Sequence, residues 1–371
     1  MSLAGARLLA TALTLRPVSP GPADELLLSQ TWAAYRANFM QADGRVIDRG
    51  AADRSTSEGQ AYALVRALVM DDEGTFEQVR TWTQKNLQYD DATRLPAWSW
   101  GQEGTGQWHV LDPMPAADAD EWMAWALLGG ARRWHRPDYK HQALGLLAGI
   151  WDQETQEVAG KRLLLPGPWA KDRDPVRLNP SYWLPFAWRI FARDDPDHAW
   201  LELVSPAYEL LDTCRSEGRL PPDWCYVDAA TGVVVPPPRG SERDSDFGFE
   251  AFRIGWTLAA EVLWSDEPRA RLLLHDFAGL ADRWRSEGRI AAVMAPDGTP
   301  RVDYSYQGLY GAMLPGWSIV RRGRAEALWH AEIVPRRAAH GWGDLVDYYG
   351  QNWIWLGFAL WQGAMGAQGP A

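Results

Sequence analysis

A chain of 371 residues, 46% of them apolar, has the length and hydrophobic content to bury a large core. Its net charge of −11, with no Lys/Arg tract, argues against nucleic acid or an anionic membrane surface as partner. Twenty-three tryptophans exceed the needs of core filling. Indole faces stack on the apolar faces of sugar rings, so a groove for a neutral polymer would use the surplus, with ordinary packing as the alternative.

In chain order, residues 1–23 come first, with apolar Leu8 to Leu15 followed by the Pro-rich run Arg16 to Ala23. They read as a degenerate secretory leader, which implies a periplasmic or secreted protein. Residues 24–371 contain no convincing linker and read as one domain. Asp24–Met40 has helical periodicity through Leu27, Leu28, Trp32, Tyr35 and Phe39. Gly44–Asp48 breaks it, and a polar loop leads to Ser55-Thr-Ser-Glu58-Gly-Gln-Ala-Tyr62, a second helix start. Two readings of Glu58 stand side by side. It closes a capping box with Ser55, or it is a catalytic acid at the mouth of a helix-lined cleft. A helix over Gly74–Leu87 follows, then Leu95–Gly101, where Trp98 and Trp100 either face a groove or form a short buried strand.

Asp118 and Asp120 open the next helix, which runs to Trp134, and the macrodipole alone would favour acids there. Further helices are expected over Tyr139–Ile150, Trp183–Ala192, Ala199–Ser216, Ala251–Leu263, Arg269–Glu287, Tyr306–Val320, Arg324–Val334 and Trp353–Gln362. Val233–Pro238 reads as a short extended piece or loop. Cys214 and Cys225 are compatible with one disulfide or two thiols. The seven histidines are scattered and no metal motif occurs, so neither a metal nor an organic cofactor is expected.

Several motifs occur in a fixed order: Gly44-Arg-Val-Ile-Asp48, Thr56-Ser-Glu-Gly-Gln60, Pro96-Ala-Trp98 and Ala117-Asp-Ala-Asp120 running on to Met123-Ala-Trp125. Leu164-Leu-Pro-Gly167, Asn179-Pro-Ser-Tyr182 and Asp347-Tyr-Tyr-Gly350 follow. Together they resemble glycoside hydrolase family 8, and within it the endoglucanases that accompany bacterial cellulose synthase. The resemblance spans about residues 30–362 and implies an all-α fold, an (α/α)6 barrel of helical hairpins around a central groove. The implied activity is inverting endo-β-1,4-glucan hydrolysis, with a β-1,4-glucan as partner and a functional link to a cellulose synthase complex. Chitosan or xylan hydrolysis, and a non-catalytic glucan-binding protein, are the alternatives.

Inversion requires an acid that protonates the leaving oxygen and a base that activates water, the two carboxyl groups roughly 6.5–9.5 Å apart. By the resemblance, Glu58 is the acid and Asp118 binds and distorts the sugar in the cleaving subsite. The base position departs from the pattern. The family carries Tyr-Asp three residues before an arginine, whereas this chain reads Phe249-Glu250 before Arg253. Glu250 and Arg253 share a helix face at i, i+3, which also fits a plain salt bridge. Glu250 is the expected base and Asp246 the fallback. Trp98, Trp100, Asp120, Tyr182, Arg253 and Tyr349 are the expected substrate-binding residues.

Overall fold

The computed structural model describes residues 20–88, 95–104, 106–215, 220–321, 323–338, 341–344 and 346–366. The expected leader, apart from residues 20–23, lies outside the described residues. The helices are α1 (Pro22–Phe39), α2 (Ser57–Val69), α3 (Glu73–Asn86), α4 (Ala117–Arg133), α5 (Pro137–Glu154) and α6 (Pro185–Asp194). They continue with α7 (Val204–Cys214), α8 (Phe252–Ser265), α9 (Pro268–Glu287), α10 (Gln307–Val320), α11 (Arg324–Leu328) and α12 (Tyr348–Trp361). A π-helical turn, Trp329–Ile333, extends α11.

Packing sorts these helices into two rings. Each even-numbered helix packs on the next, and α12 packs on α2 to close the circle. The odd-numbered helices lie against them: α3 on α2, α5 on α4, α7 on α6, α9 on α8, α11 on α10 and α1 on α12. This is the (α/α)6 barrel, and the sequence explains which helix belongs to which ring. Nearly every residue of α2 and α12 is buried. By contrast α9 buries one stripe, Ala270, Leu273, Leu274, Phe277, Ala278 and Ala281, at the spacing of a one-sided helix. At the α10–α12 crossing a side chain on Gly357 would put its Cβ 1.9 Å from the Gly311 carbonyl oxygen, so the close approach depends on glycine.

One buried cation ties the ring shut. Arg66 of α2 donates to Asn352 Oδ1 of α12 and to the Thr31 carbonyl of α1, both at 3.1 Å. Its guanidinium lies 4.2 Å from the Tyr35 ring centroid and 4.8 Å from that of Trp355. Burial pulls its pKa down to about 9.

Short antiparallel strands occupy the connections. A three-stranded sheet joins β1 (Ser55–Thr56), β2 (Ser99–Gln102) and β3 (Trp108–Asp112). A hairpin pairs β4 (Thr155–Val158) with β5 (Lys161–Leu164), and a second sheet joins β6 (Val176–Leu178), β7 (Cys225–Val227) and β8 (Val234–Val235). β9 (Arg337–Ala338) pairs with β10 (Gly341–Trp342). Val234–Val235 therefore takes the extended alternative, while the expected helix over 199–216 begins as a 3-10 turn, Trp200–Leu203. Cys214, at the end of α7, and Cys225, at the start of β7, are unlinked thiols. Among the described residues no helix is long and apolar enough to cross a membrane, and no group of three His, Cys, Asp or Glu side chains is placed to hold a metal ion.

Candidate active site

The amino ends of α2, α4, α8 and α12 converge, and each brings a polar side chain to one point. Thr56, rather than Ser55, caps α2, its Oγ1 accepting from Gly59 N at 3.1 Å, because the Ser55 hydroxyl is already committed, donating to the Val46 carbonyl at 2.6 Å and accepting from Arg45 Nε at 2.8 Å. Glu58 is thereby released from capping and turns toward the barrel axis. Its Oε1 accepts from Tyr62 Oη at 2.8 Å, one helical turn on, and from Arg253 Nη1 at 3.2 Å. Its Oε2 accepts from Tyr348 Oη, of α12, at 3.3 Å.

Arg253 is the hub. Nη1 also donates to Asp118 Oδ2 at 2.8 Å, while Nη2 donates to Ser181 Oγ at 2.8 Å and to Glu250 Oε2. One almost fully buried guanidinium thus serves three carboxyl groups, contributed by α2, α4 and the turn before α8. Three carboxylates around a single cation leave an excess of negative charge, and one group relieves it by holding a proton. That group is Glu58. Burial, then the neighbouring Asp118 carboxylate, pushes its pKa up to about 7, against the opposing pull of Arg253. Asp118 is raised as well, chiefly by burial.

Glu250 is arranged differently. Asn179 Nδ2, at 3.1 Å, and Ser181 Oγ, at 3.4 Å, join Arg253 on Oε2, and among the described residues every hydrogen bond to this carboxylate falls on that oxygen. Its side chain keeps 29% of its exposure, against 18% for Glu58 and 6% for Asp118. Oε1 is therefore the oxygen left to meet a water. Asp246, the fallback base, is held away from this point. It is buried, with Oδ2 accepting from Arg243 Nη1 at 3.0 Å and Oδ1 from Arg301 Nε at 3.2 Å.

The expected substrate contacts divide. The Tyr182 ring lies 5.1 Å from the Arg253 guanidinium, and burial with the fields of Asp118 and Glu250 raises its phenol pKa. Trp98 lies beside the start of α2, its carbonyl accepting from Ser57 N at 3.0 Å and its ring 5.2 Å from the Arg54 guanidinium. Trp100 takes the strand alternative: in β2 it packs edge-on against Trp82, and Trp108 covers one of its faces at 4.8 Å. Tyr349 commits its hydroxyl to the Phe249 carbonyl, at 2.8 Å. Asp120 requires a correction. It is completely buried beside Glu154 and touches no groove surface, because residues two apart on a helix point in different directions and Asp118 already faces the axis.

Sequence reasoning did not single out Tyr62, Ser181, Trp169 or Trp224. Tyr62 was detectable, since i, i+4 spacing from Glu58 places it on the same face. Trp169 and Trp224 were not, because their ring centroids come together, 6.1 Å apart, from segments distant in the chain. Trp224 also lies 6.0 Å from Tyr182, and Arg177 stacks on it at 4.0 Å. The three rings form an aromatic shelf leading to Arg253, with Trp169 37% exposed.

Residues 22–285 match the family model described as glycosyl hydrolases family 8. The chain belongs to that family. It is 37% identical over 286 residues to an endoglucanase of Xanthomonas axonopodis pv. citri, an alignment covering 76% of this chain and 71% of that one. An endoglucanase of Salmonella typhi is 31% identical over 337 residues, covering 87% and 86%. Among solved structures, the endo-1,4-D-glucanase of Vibrio fischeri superposes with a TM-score of 0.78 at 27% identity, covering 90% of this chain and 94% of that one. This family 8 chain is a glycoside hydrolase. In it the carboxyl groups of Glu58 and Glu250 are held by the two different terminal nitrogens of one guanidinium.

Proposed function

We propose that this protein is an endo-β-1,4-glucanase acting on cellulose-type glucan, with Glu58 as general acid and Glu250 as general base. The observation that carries the reading is the pair of environments around Arg253. Glu58 is buried enough to keep a proton near neutral pH, and Glu250 is held by one oxygen with the other free. An acid that holds its proton, facing a second carboxyl group that keeps an oxygen free for water, is what acid–base hydrolysis requires.

In the proposed reaction Glu58 gives its proton to the glycosidic oxygen as the bond to the anomeric carbon breaks. Glu250 Oε1 takes a proton from a water that attacks that carbon from the opposite face, leaving a sugar of inverted configuration. Glu58 ends ionised and Glu250 protonated, and exchange with solvent restores both. Asp118, anchored by Arg253 and by the Ala119 N–H at 2.8 Å, places negative charge beside the ring as positive charge develops there. Trp98, Tyr182, Trp224 and Trp169 supply faces for the sugar units.

The glucan specificity is supported by the endoglucanase names of the relatives. A role in trimming the product of a cellulose synthase, in the periplasm or outside the cell, is supported by the resemblance carried by Gly44–Asp48 and Pro96–Trp98. Reducing-end release from carboxymethylcellulose, with xylan and chitosan in parallel, tests the reading. Cleavage of the glucan, lost in both Glu58→Gln and Glu250→Gln, is the expected result. Glucan binding by the unaltered protein without cleavage of any polymer overturns it and leaves a binding protein.

A further inference from the structure

The turn carrying Glu250 has an unusual support. Helix α8 begins without a side-chain cap from its own N-cap residue, Ala251. The N–H groups of Phe252, Arg253 and Ile254 turn back onto backbone carbonyls, while those of the turn leading into the helix are met from a segment more than twenty residues earlier. Asp223 Oδ1 accepts from Gly248 N at 2.8 Å, Glu250 N at 3.1 Å and Ala251 N at 2.8 Å. The opposite side of the same turn is gripped by Tyr349 Oη, which donates to the Phe249 carbonyl at 2.8 Å. The backbone is threaded tightly past the carboxyl group: a Cβ on Gly248 would lie 2.6 Å from Asp223 Oδ2. Asp223 and Trp224 are also tied to the turn's approach, their N–H groups donating to the carbonyls of Asp246, at 2.8 Å, and Asp244, at 2.9 Å.

We infer that Asp223 is a positioning residue for catalysis, a remote cap on the turn that leads into α8, and that it sets where the Glu250 carboxylate stands relative to the water it activates and to the Trp224 shelf. The inference rests on the proposed role of Glu250 as base. Three backbone donors on one oxygen fix the peptide planes 247–248, 249–250 and 250–251, two of them flanking Glu250, and a side chain leaving a fixed turn has a fixed origin. A glutamate carries one more rotatable bond than the aspartate usual in the family, so the position of its Cα matters more. Burial pushes the Asp223 carboxyl up to about 7. Oδ1 therefore accepts the three donors whether or not Oδ2 carries a proton, and asparagine reproduces the protonated form.

The test compares Asp223→Ala, Asp223→Asn and Gly248→Ala in kcat, KM and amide hydrogen exchange of residues 247–252. Asp223→Ala should lower kcat about tenfold or more, since displacements of about 1 Å carry such costs, with KM within about twofold. Its amides 248, 250 and 251 should exchange about tenfold faster or more. Asp223→Asn should restore both to within about threefold of the native values, because the acceptor is kept. Gly248→Ala should behave like Asp223→Ala, and the double variant should lose little more than either, as expected for two changes to one contact. Unchanged exchange in Asp223→Ala overturns the capping role. Faster exchange with unchanged kcat overturns the link to the base, and a KM rise matching the kcat loss marks Asp223 as merely structural. If the native protein cleaves no polymer the glucanase reading fails, yet the exchange comparison still decides whether Asp223 fixes the turn.

Discussion

Replacing Asp118 by asparagine probes the claim that a neighbouring carboxylate helps Glu58 keep its proton. Glu58 Oε1 and Asp118 Oδ2 share the donor Arg253 Nη1, at 3.2 and 2.8 Å. Two acceptors on one nitrogen lie roughly 5 Å apart, and at an effective dielectric of ~20 unit charges so placed repel by about 3 kcal/mol. Arg253 and groove water screen part of this, leaving about 1.4 kcal/mol, or about one pH unit. The sign follows from charge. Removing the negative neighbour favours ionised Glu58, so the acid loses its proton at lower pH. The assay is kcat/KM for a soluble glucan between pH 5 and pH 9, where the alkaline limb reports the acid in the free enzyme. The native limb should centre near the pKa of about 7 carried by Glu58, and the Asp118→Asn limb should lie about one unit lower. The height of the profile will fall as well, given the role proposed for Asp118 beside the sugar, but only the position of the limb reports the Glu58 proton. A limb that stays in place, or moves upward, refutes the assignment of Glu58 as an acid tuned by Asp118.

The other expectations follow from the same geometry. Glu250→Gln should lower kcat by about 10²–10⁴, the usual worth of a general base, while Glu250→Asp should retain an intermediate rate; equal losses in steady-state kinetics would deny that the carboxylate takes a proton. Trp224→Ala, removing the middle of the shelf, should raise KM about fivefold for about 1 kcal/mol of lost stacking with kcat little changed, and an unaltered KM would remove the shelf from the substrate path. Asp120→Asn should stabilise the protein at neutral pH. Burial raises the folded-state pKa of Asp120, so the native state is penalised progressively as pH rises above the unfolded value of about 3.9. The variant's advantage in melting temperature should therefore be absent at pH 3 and grow toward pH 7; a variant less stable than the native protein at pH 7 would contradict this.

The fold was largely legible because its helices carry apolar residues at helical spacing, as the buried stripe of α9 shows. Their ends were read to within a few residues, except where local hydrogen bonding intervened. Ser55 looked like the cap of α2, but its hydroxyl is taken by Val46 and Arg45, which leaves that duty to Thr56 and frees Glu58. Glu58, Asp118, Tyr182, Glu250 and Arg253 were named from motifs, and the structure brings them together. What spacing cannot report is which residue serves as hub. Arg253 lies 195 positions from Glu58, and only closure of the ring makes them neighbours. Asp120 misled because motif membership does not state which way a helical side chain faces. Asp223 gave no signal, since a cap drawn from a distant segment has no characteristic spacing.

The salt-bridge and catalytic readings of Glu250 need not compete. A carboxylate that only balanced Arg253 would gain by presenting both oxygens to the planar guanidinium, the geometry that strengthens such pairs. Here Asn179, Ser181 and Arg253 crowd onto Oε2, and the side chain remains the most exposed of the three around the hub. The one-sided arrangement fixes the group in place while keeping a lone pair for water, and it answers the problem raised by the longer side chain. A glutamate reaches further into the groove and must be restrained at its tip, which the amide, hydroxyl and guanidinium do together. Phe249 fits the same logic. Its carbonyl is held by Tyr349, and its ring rests against Tyr306, at 4.9 Å, so the residue that replaces the family's tyrosine secures the turn by its backbone and packing. The residues at 249 and 250 thus both carry restraints, which is what the proposed base, one methylene longer than an aspartate, would need.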